Sequence, residues 1–153
     1  MATIHASAVL IGARAALIRG PAGAGKSRLA LALIEAAAGG LLPFARLVGD
    51  DRLHVEAAHG RLLVRPADAL AGLIEVRGLG IRRLPYEALA TVGLVVELGL
   101  PDAERLPSPA ARSAALEGIA LPRLSAAPET DALGLVLAAL RTDDVSDGKS
   151  KFW

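Results

Sequence analysis

Gly20-Pro21-Ala22-Gly23-Ala24-Gly25-Lys26-Ser27 fills every position of the pattern Gly-x-x-x-x-Gly-Lys-Ser/Thr. Ala15-Ala16-Leu17-Ile18-Arg19 before it is a short apolar run that predicts a strand. Residues 28–38 after it are rich in Leu and Ala, lack Pro and Gly, and predict a helix. A strand, a glycine turn and a helix in that order make a phosphate loop. Its main-chain N–H groups turn inward to phosphate oxygens and the helix adds its positive end. Lys26 reaches the β- and γ-phosphates, and the Ser27 hydroxyl offers Mg²⁺ an oxygen. A plain glycine turn needs no lysine. This chain has three Lys against fourteen Arg, and the other two Lys lie in its last five residues. Gly20 to Ser27 is therefore the candidate nucleotide-binding segment.

The 153 residues fit one domain, long enough to bury roughly two-thirds of its unfolded surface. The absence of cysteine excludes disulfides, a thiol nucleophile and a thiolate metal site, and fits a cytoplasmic protein. The first residues show no basic segment leading into a long apolar run, so no secretory signal is expected. Charge, Pro or Gly interrupts every apolar stretch before it reaches spanning length, so no membrane span is expected either. The net charge is +1, with one Trp, one Tyr and two Phe, which gives nucleic acid neither a basic surface nor a stacking platform.

Outward from the loop, 4–11 and 15–19 predict two strands joined at Gly12-Ala13-Arg14. Gly39 to Pro43 breaks the helix, and 44–49 resumes as a strand ending at Asp50-Asp51. Residues 53–56 and 61–64 flank Ala57-Ala58-His59-Gly60 as a second hairpin. Residues 73–77 predict a strand running into Gly78-Leu79-Gly80, 91–98 the most β-like run, and 119–124 a short strand. Pro101 to Pro109 reads as a loop. A last helix over 129–141 is apolar nearly all round and must be covered by the core or by a partner, and a polar tail expected to be mobile follows from Thr142. Strands on both sides of the loop helix, with hairpins mixed in, predict a single α/β domain with a mixed sheet.

A phosphate loop names the ligand and leaves the reaction open. Phosphoryl transfer also needs carboxylates for Mg²⁺ and a group to deprotonate the acceptor. Asp50-Asp51, at a strand end, can supply both or can be a solvated turn. In Glu75-Val76-Arg77-Gly78-Leu79-Gly80-Ile81 an acid and a base share one strand face, and the glycines permit close approach or positive φ. Taken alone that stretch is an alternating strand and a turn, His5 a half-buried strand histidine, and Arg105 a surface arginine. His54 and His59 match no metal spacing.

The order of these motifs resembles one family. His5, the phosphate loop, Leu47-Val48-Gly49-Asp50-Asp51, Glu75-x-Arg77-Gly78-x-Gly80-Ile81, an apolar Val run and Arg105 resemble the catalytic domain of HPr kinase/phosphorylase over residues 4–141. In this the chain resembles the short alpha-proteobacterial form, which lacks the N-terminal domain of longer members. The resemblance implies a fold like that of phosphoenolpyruvate carboxykinase around its phosphate loop. It implies an ATP- and Mg²⁺-dependent serine kinase acting on the phosphocarrier HPr. Under it Asp51 deprotonates the seryl hydroxyl, Lys26 offsets phosphate charge, and Ser27, Asp50 and Glu75 face Mg²⁺. His5 and Arg105 become active-site residues. Members are commonly hexamers.

Three departures stand out. Arg28 replaces the acid usual after the loop serine. Gly39 to Pro43 lengthens the path from Lys26 to Asp50. Leu121-Pro122-Arg123-Leu124-Ser125-Ala126-Ala127 stands where long members carry the Pro-x-Arg-Pro-Gly-Arg segment needed for dephosphorylation, which puts phosphorylase activity in doubt. The competing readings are a small-metabolite phosphate-loop kinase, against which the chain lacks an arginine-rich lid, and a non-catalytic ATP-binding regulator, which would have no need of an acceptor base.

Overall fold

The computed structural model describes residues 1–145. Among them eleven strands and two α-helices follow in chain order. They are β1 (Ala2–Ile4), β2 (Ser7–Ile11), β3 (Arg14–Arg19), α1 (Lys26–Ala38), β4 (Ala45–Gly49), β5 (Leu53–Ala58), β6 (Arg61–Pro66), β7 (Leu73–Val76), β8 (Gly80–Arg83), β9 (Ala90–Glu97), β10 (Ser113–Leu116), β11 (Ile119–Ser125) and α2 (Ala132–Arg141). Nine strands form one mixed sheet in the order β1-β5-β6-β9-β3-β2-β4, with β11 joining β9 and β10 joining β11. Strands β7 and β8 form a separate ribbon.

The expected single strand over 4–11 is two strands, because its halves pair with different neighbours. Ala2–Ile4 lies antiparallel to β5, while Ser7–Ile11 pairs with β3 and β4. In a flat sheet of this order β1 and β2 would stand about 24 Å apart, five strand spacings. The link through His5 and Ala6 reaches only about 11 Å. The sheet must therefore curl until those strands approach.

Curling gives the sheet two buried faces. Along β3, Ala16 and Ile18 face one cluster with Leu29, Ala30 and Leu33 of α1, and Ala15 and Leu17 face the other with Val55, Leu62 and Leu121. Because both faces are covered, β3 and β9 read as continuous apolar runs. At the end of α1, Leu41 N donates to Ala36 O and Gly40 N to Ala37 O, with Gly40 at φ 85. This closes the helix and delivers Leu42 to the core at 4% exposure.

Several boundaries differ from expectation. The second hairpin turns on two residues, His59 (φ 52) and Gly60 (φ 75), instead of four. Strand β10 was not foreseen. It pairs with β11 across Glu117 (φ 49) and Gly118 (φ 77), a two-residue turn of the same left-handed kind. Strand β8 was also not foreseen, because all four of its residues are exposed and carry no inside–outside alternation. Helix α2 begins at Ala132, where the Asp131 side chain accepts from Gly134 N at 3.0 Å. Only its Val136 is fully buried, and Leu133, Leu135, Leu137 and Leu140 are half-buried against the α1 side. Of the expected tail, 146–153 lies outside the described residues.

Leu33, fully buried between α1 and the sheet, should be far more costly to truncate than Leu79, which is 63% exposed. Leu33→Ala is expected to lower unfolding free energy by about 2–5 kcal/mol, and Leu79→Ala by less than about 0.5 kcal/mol. Urea unfolding of both variants checks this, and equal losses would overturn the core assignment.

Candidate functional site

Strand direction decides where the chemistry gathers. Strands β3, β9 and β11 are parallel, and β4 runs the same way because both it and β3 are antiparallel to β2. Their carboxyl ends share one edge of the sheet, the usual place for ligands in such folds. The 20–27 loop leaves β3 there, Asp50-Asp51 leaves β4 there, and Ser7 opens β2 at the same edge.

The loop has the shape its glycines imply. Gly23 and Gly25 adopt φ 81 and φ 98, where a side chain would be strained. Gly25 ends the loop in left-handed conformation and α1 starts at Lys26, with no side-chain cap and no acid in its first turn. Among the described residues no side chain caps the first N–H groups of α1, an arrangement open to an anion. Lys26 Nζ folds back onto the loop, donating to Gly20 O at 2.8 Å and Pro21 O at 3.2 Å.

Asp50 is the hub. It is 4% exposed, and its carboxylate accepts from Ser7 Oγ at 2.5 Å, from Ser27 Oγ at 2.8 Å to each oxygen, and from Glu75 N at 3.1 Å. One acid therefore ties together β2, α1, β4 and β7. Gly49 lets β4 deliver it, since a Cβ there would lie 2.5 Å from Leu53 Cδ2 and 3.1 Å from Pro66 Cβ. Asp51 follows with a φ of 70, which turns the chain, and its side chain is exposed.

Glu75 enters the network through its main-chain N–H, while its side chain is exposed on β7. His5 lies exposed between β1 and β2, not half-buried on a strand. Arg105 is exposed in the loop after β9. The network centred on Asp50 includes none of His5, Asp51 and Arg105. Ser7 was missed by sequence reasoning, because a lone serine at a strand start carries no motif.

Among the described residues no three His, Cys, Asp or Glu cluster as a metal cage. The Ser27 hydroxyl and Asp50 carboxylate, 2.8 Å apart, do fit Mg²⁺, which takes one or two protein oxygens and fills its octahedron with water and phosphate oxygens. A cavity of about 430 Å³ opens at the opposite end of β3, where Arg14, Arg61, Thr91 and Gly93 line it, and no residue of the Asp50 network does. Chemistry, not cavity size, marks the site.

The two acids should separate in a stability measurement. Asp50→Ala strands Ser7, Ser27 and the Glu75 N–H, and is expected to cost about 2–4 kcal/mol. Asp51→Ala, at an exposed position, is expected to cost less than about 1 kcal/mol. Denaturant unfolding of both variants reads the difference, and similar losses would remove Asp50 from the centre of the network.

The family model for the HPr Serine kinase C-terminal domain matches residues 1–85. Among curated proteins, the HPr kinase/phosphorylase of Clostridium tetani is 34% identical over 89 residues, covering 54% of this chain and 27% of the relative. That of Streptococcus thermophilus is 40% identical over 80 residues, covering 52% and 24%. The aligned part thus spans about a quarter of the length of these relatives. Among solved structures, the Hpr(Ser) kinase/phosphatase from Coxiella burnetii superposes with a TM-score of 0.73 at 26% identity, over 92% of this chain and 95% of that one. No helix among the described residues is long and apolar enough to cross a membrane. With its mixed sheet, its loop at the carboxyl ends of the parallel strands and more than half its length matched, this chain belongs to the HPr serine kinase C-terminal domain family.

Proposed function

We propose that the chain is an ATP- and Mg²⁺-dependent serine kinase acting on HPr, built on a phosphate-loop domain of the phosphoenolpyruvate-carboxykinase type that occupies residues 1–141. The observation that carries the reading is the Ser27–Asp50 contact at the mouth of the glycine loop, in a chain of this family. The relatives' names as HPr kinase/phosphorylases support the choice of substrate, and the reading includes a cytoplasmic site of action.

In this reading Gly20 to Ser27 bind the phosphates through main-chain N–H groups. Lys26 releases the Gly20 and Pro21 carbonyls to reach the β- and γ-phosphates. Ser27, Asp50 and Glu75 are the oxygens available to Mg²⁺, which when bound offsets charge on the transferring group. Asp50 already has three donors on its oxygens, so it is suited to holding and orienting. Asp51 takes part in no hydrogen bond of the Asp50 network and is open to solvent, which suits it to take the proton from the acceptor serine. His5 and Arg105 flank the same edge as further candidates for the active site. Assembly into an oligomer, a hexamer by family resemblance, would cover the half-buried leucines of α2.

Incubation with ATP, Mg²⁺ and HPr should give phosphoseryl-HPr by mass, and no product would overturn the assignment. Lys26→Ala is expected to abolish transfer and weaken ATP binding. Asp51→Asn is expected to bind ATP normally while transfer falls by roughly 10²–10⁴. Wild-type transfer by Asp51→Asn would end its role as base.

The reverse reaction should be weak. Attack by inorganic phosphate needs guanidinium forks and exposed main-chain N–H groups to hold it. Residues 122–125 are instead committed to β11, paired with β10 and β9, and Arg123 lies 3.7 Å from Glu97. Little or no pyrophosphate should therefore form from phosphoseryl-HPr and phosphate, and brisk release at millimolar-order phosphate would refute this.

A further inference from the structure

Strands β3, β9 and β11 end side by side, and their last residues form one row. Arg19 is the register partner of Glu97, and Glu97 of Ser125. Glu97 is the unexpected member, a carboxylate 11% exposed at the end of an otherwise apolar strand. Unpaired, such a buried charge is heavily penalised. Arg19 pairs with it, donating from Nε to Oε1 at 2.8 Å and from Nη2 to the same oxygen. From β11, Arg123 brings Nε to 3.7 Å of that oxygen and donates from Nη1 to Ala111 O at 3.4 Å. Two guanidiniums against one carboxylate leave an excess positive charge, and the neighbouring Ser125 hydroxyl is buried without a hydrogen-bond partner.

This row stands at the base of the phosphate loop. Arg19 is the residue before Gly20, and its carbonyl accepts from Leu98 N at 2.8 Å. Gly20 sits so close to the end of β9 that a Cβ would lie 2.9 Å from Leu98 O. A Cβ on Gly99 would lie 3.3 Å from the Pro21 ring. The loop is thus set against β9 by a main-chain bond, by close packing and by one charged side-chain pair.

We infer that Glu97 is a positioning residue for the phosphate loop and acts through Arg19. The pair fixes the direction in which Gly20 leaves β3, so that the loop N–H groups stand ready before nucleotide arrives. The inference rests on the phosphate-loop reading above. In this role Glu97 acts on the loop and not on the reacting groups, so its loss weakens ground state and transition state alike. That effect raises KM for ATP and leaves kcat unchanged.

The test is a thermodynamic cycle. ATP with Mg²⁺ is titrated calorimetrically into the wild type, Glu97→Gln, Arg19→Gln and the double variant, and KM and kcat are measured for each. Each single change is expected to weaken ATP binding about tenfold, and the double change no further, because the two residues act as one unit. Should Glu97→Gln fail to fold, Glu97→Asp, which keeps the charge but shortens its reach, takes its place with the same expected loss. Wild-type affinity in the Glu97 variants, additive losses, or a fall in kcat at unchanged KM would overturn the inference. A wild type that binds no ATP would sink the phosphate-loop reading and the inference with it. A wild type that binds ATP, with Glu97 variants that match it, would sink the inference alone.

Discussion

The parallel pairing of β3 with β9 is the constraint on which the rest of this structure depends. Parallel neighbours must point their carboxyl ends to the same edge, so the glycine loop that follows β3 and the turn that follows β9 emerge together. Everything polar in the candidate site is then placed relative to that edge. Asp50 arrives on a strand that shares the direction of β3, and Ser7 begins the strand between them. The antiparallel position of β2 is what lets a residue from the start of one strand meet a residue from the end of another.

A second constraint comes from the short link between β1 and β2. It forces the sheet to bend, and the bend makes two cores out of one sheet. One core is closed by α1 and α2, the other by the sheet's own curled strands. This is how a chain with only four aromatic residues fills its interior, through small branched and unbranched aliphatic side chains packed in layers.

How far the sequence could be read follows from the kind of signal each element carries. The loop, α1 and strands β3 to β7 and β9 were legible because glycine punctuation and apolar runs mark them. The break at His5-Ala6 was not, since pairing with two separate parts of a sheet is a tertiary fact that no local pattern records. Strand β8 was hidden by having both faces exposed, and β10 by its Ala-rich composition, although Glu117-Gly118 between two apolar runs was the available clue. At the site, Asp50 and Ser27 were legible from their motifs, whereas Ser7 and Glu97 were not. Their importance lies in what stands beside them across strands, 43 residues away for Ser7 and Asp50 and 78 for Glu97 and Arg19.

The open start of α1 has a consequence for the whole domain. This helix supplies Leu29, Ala30 and Leu33 to the larger core, yet its first turn carries neither a cap nor an acid, and of its two cations, Lys26 and Arg28, Lys26 is spent on the loop's own carbonyls. The helix therefore keeps a free-energy reserve that its own sequence leaves unused. An anion that settles there draws on that reserve and, through the packing of α1, shares it with every element around the core. Folding and ligand concentration are then linked by mass action, and a ligand present at a hundred times its dissociation constant adds about 2.7 kcal/mol to the stability of the folded chain.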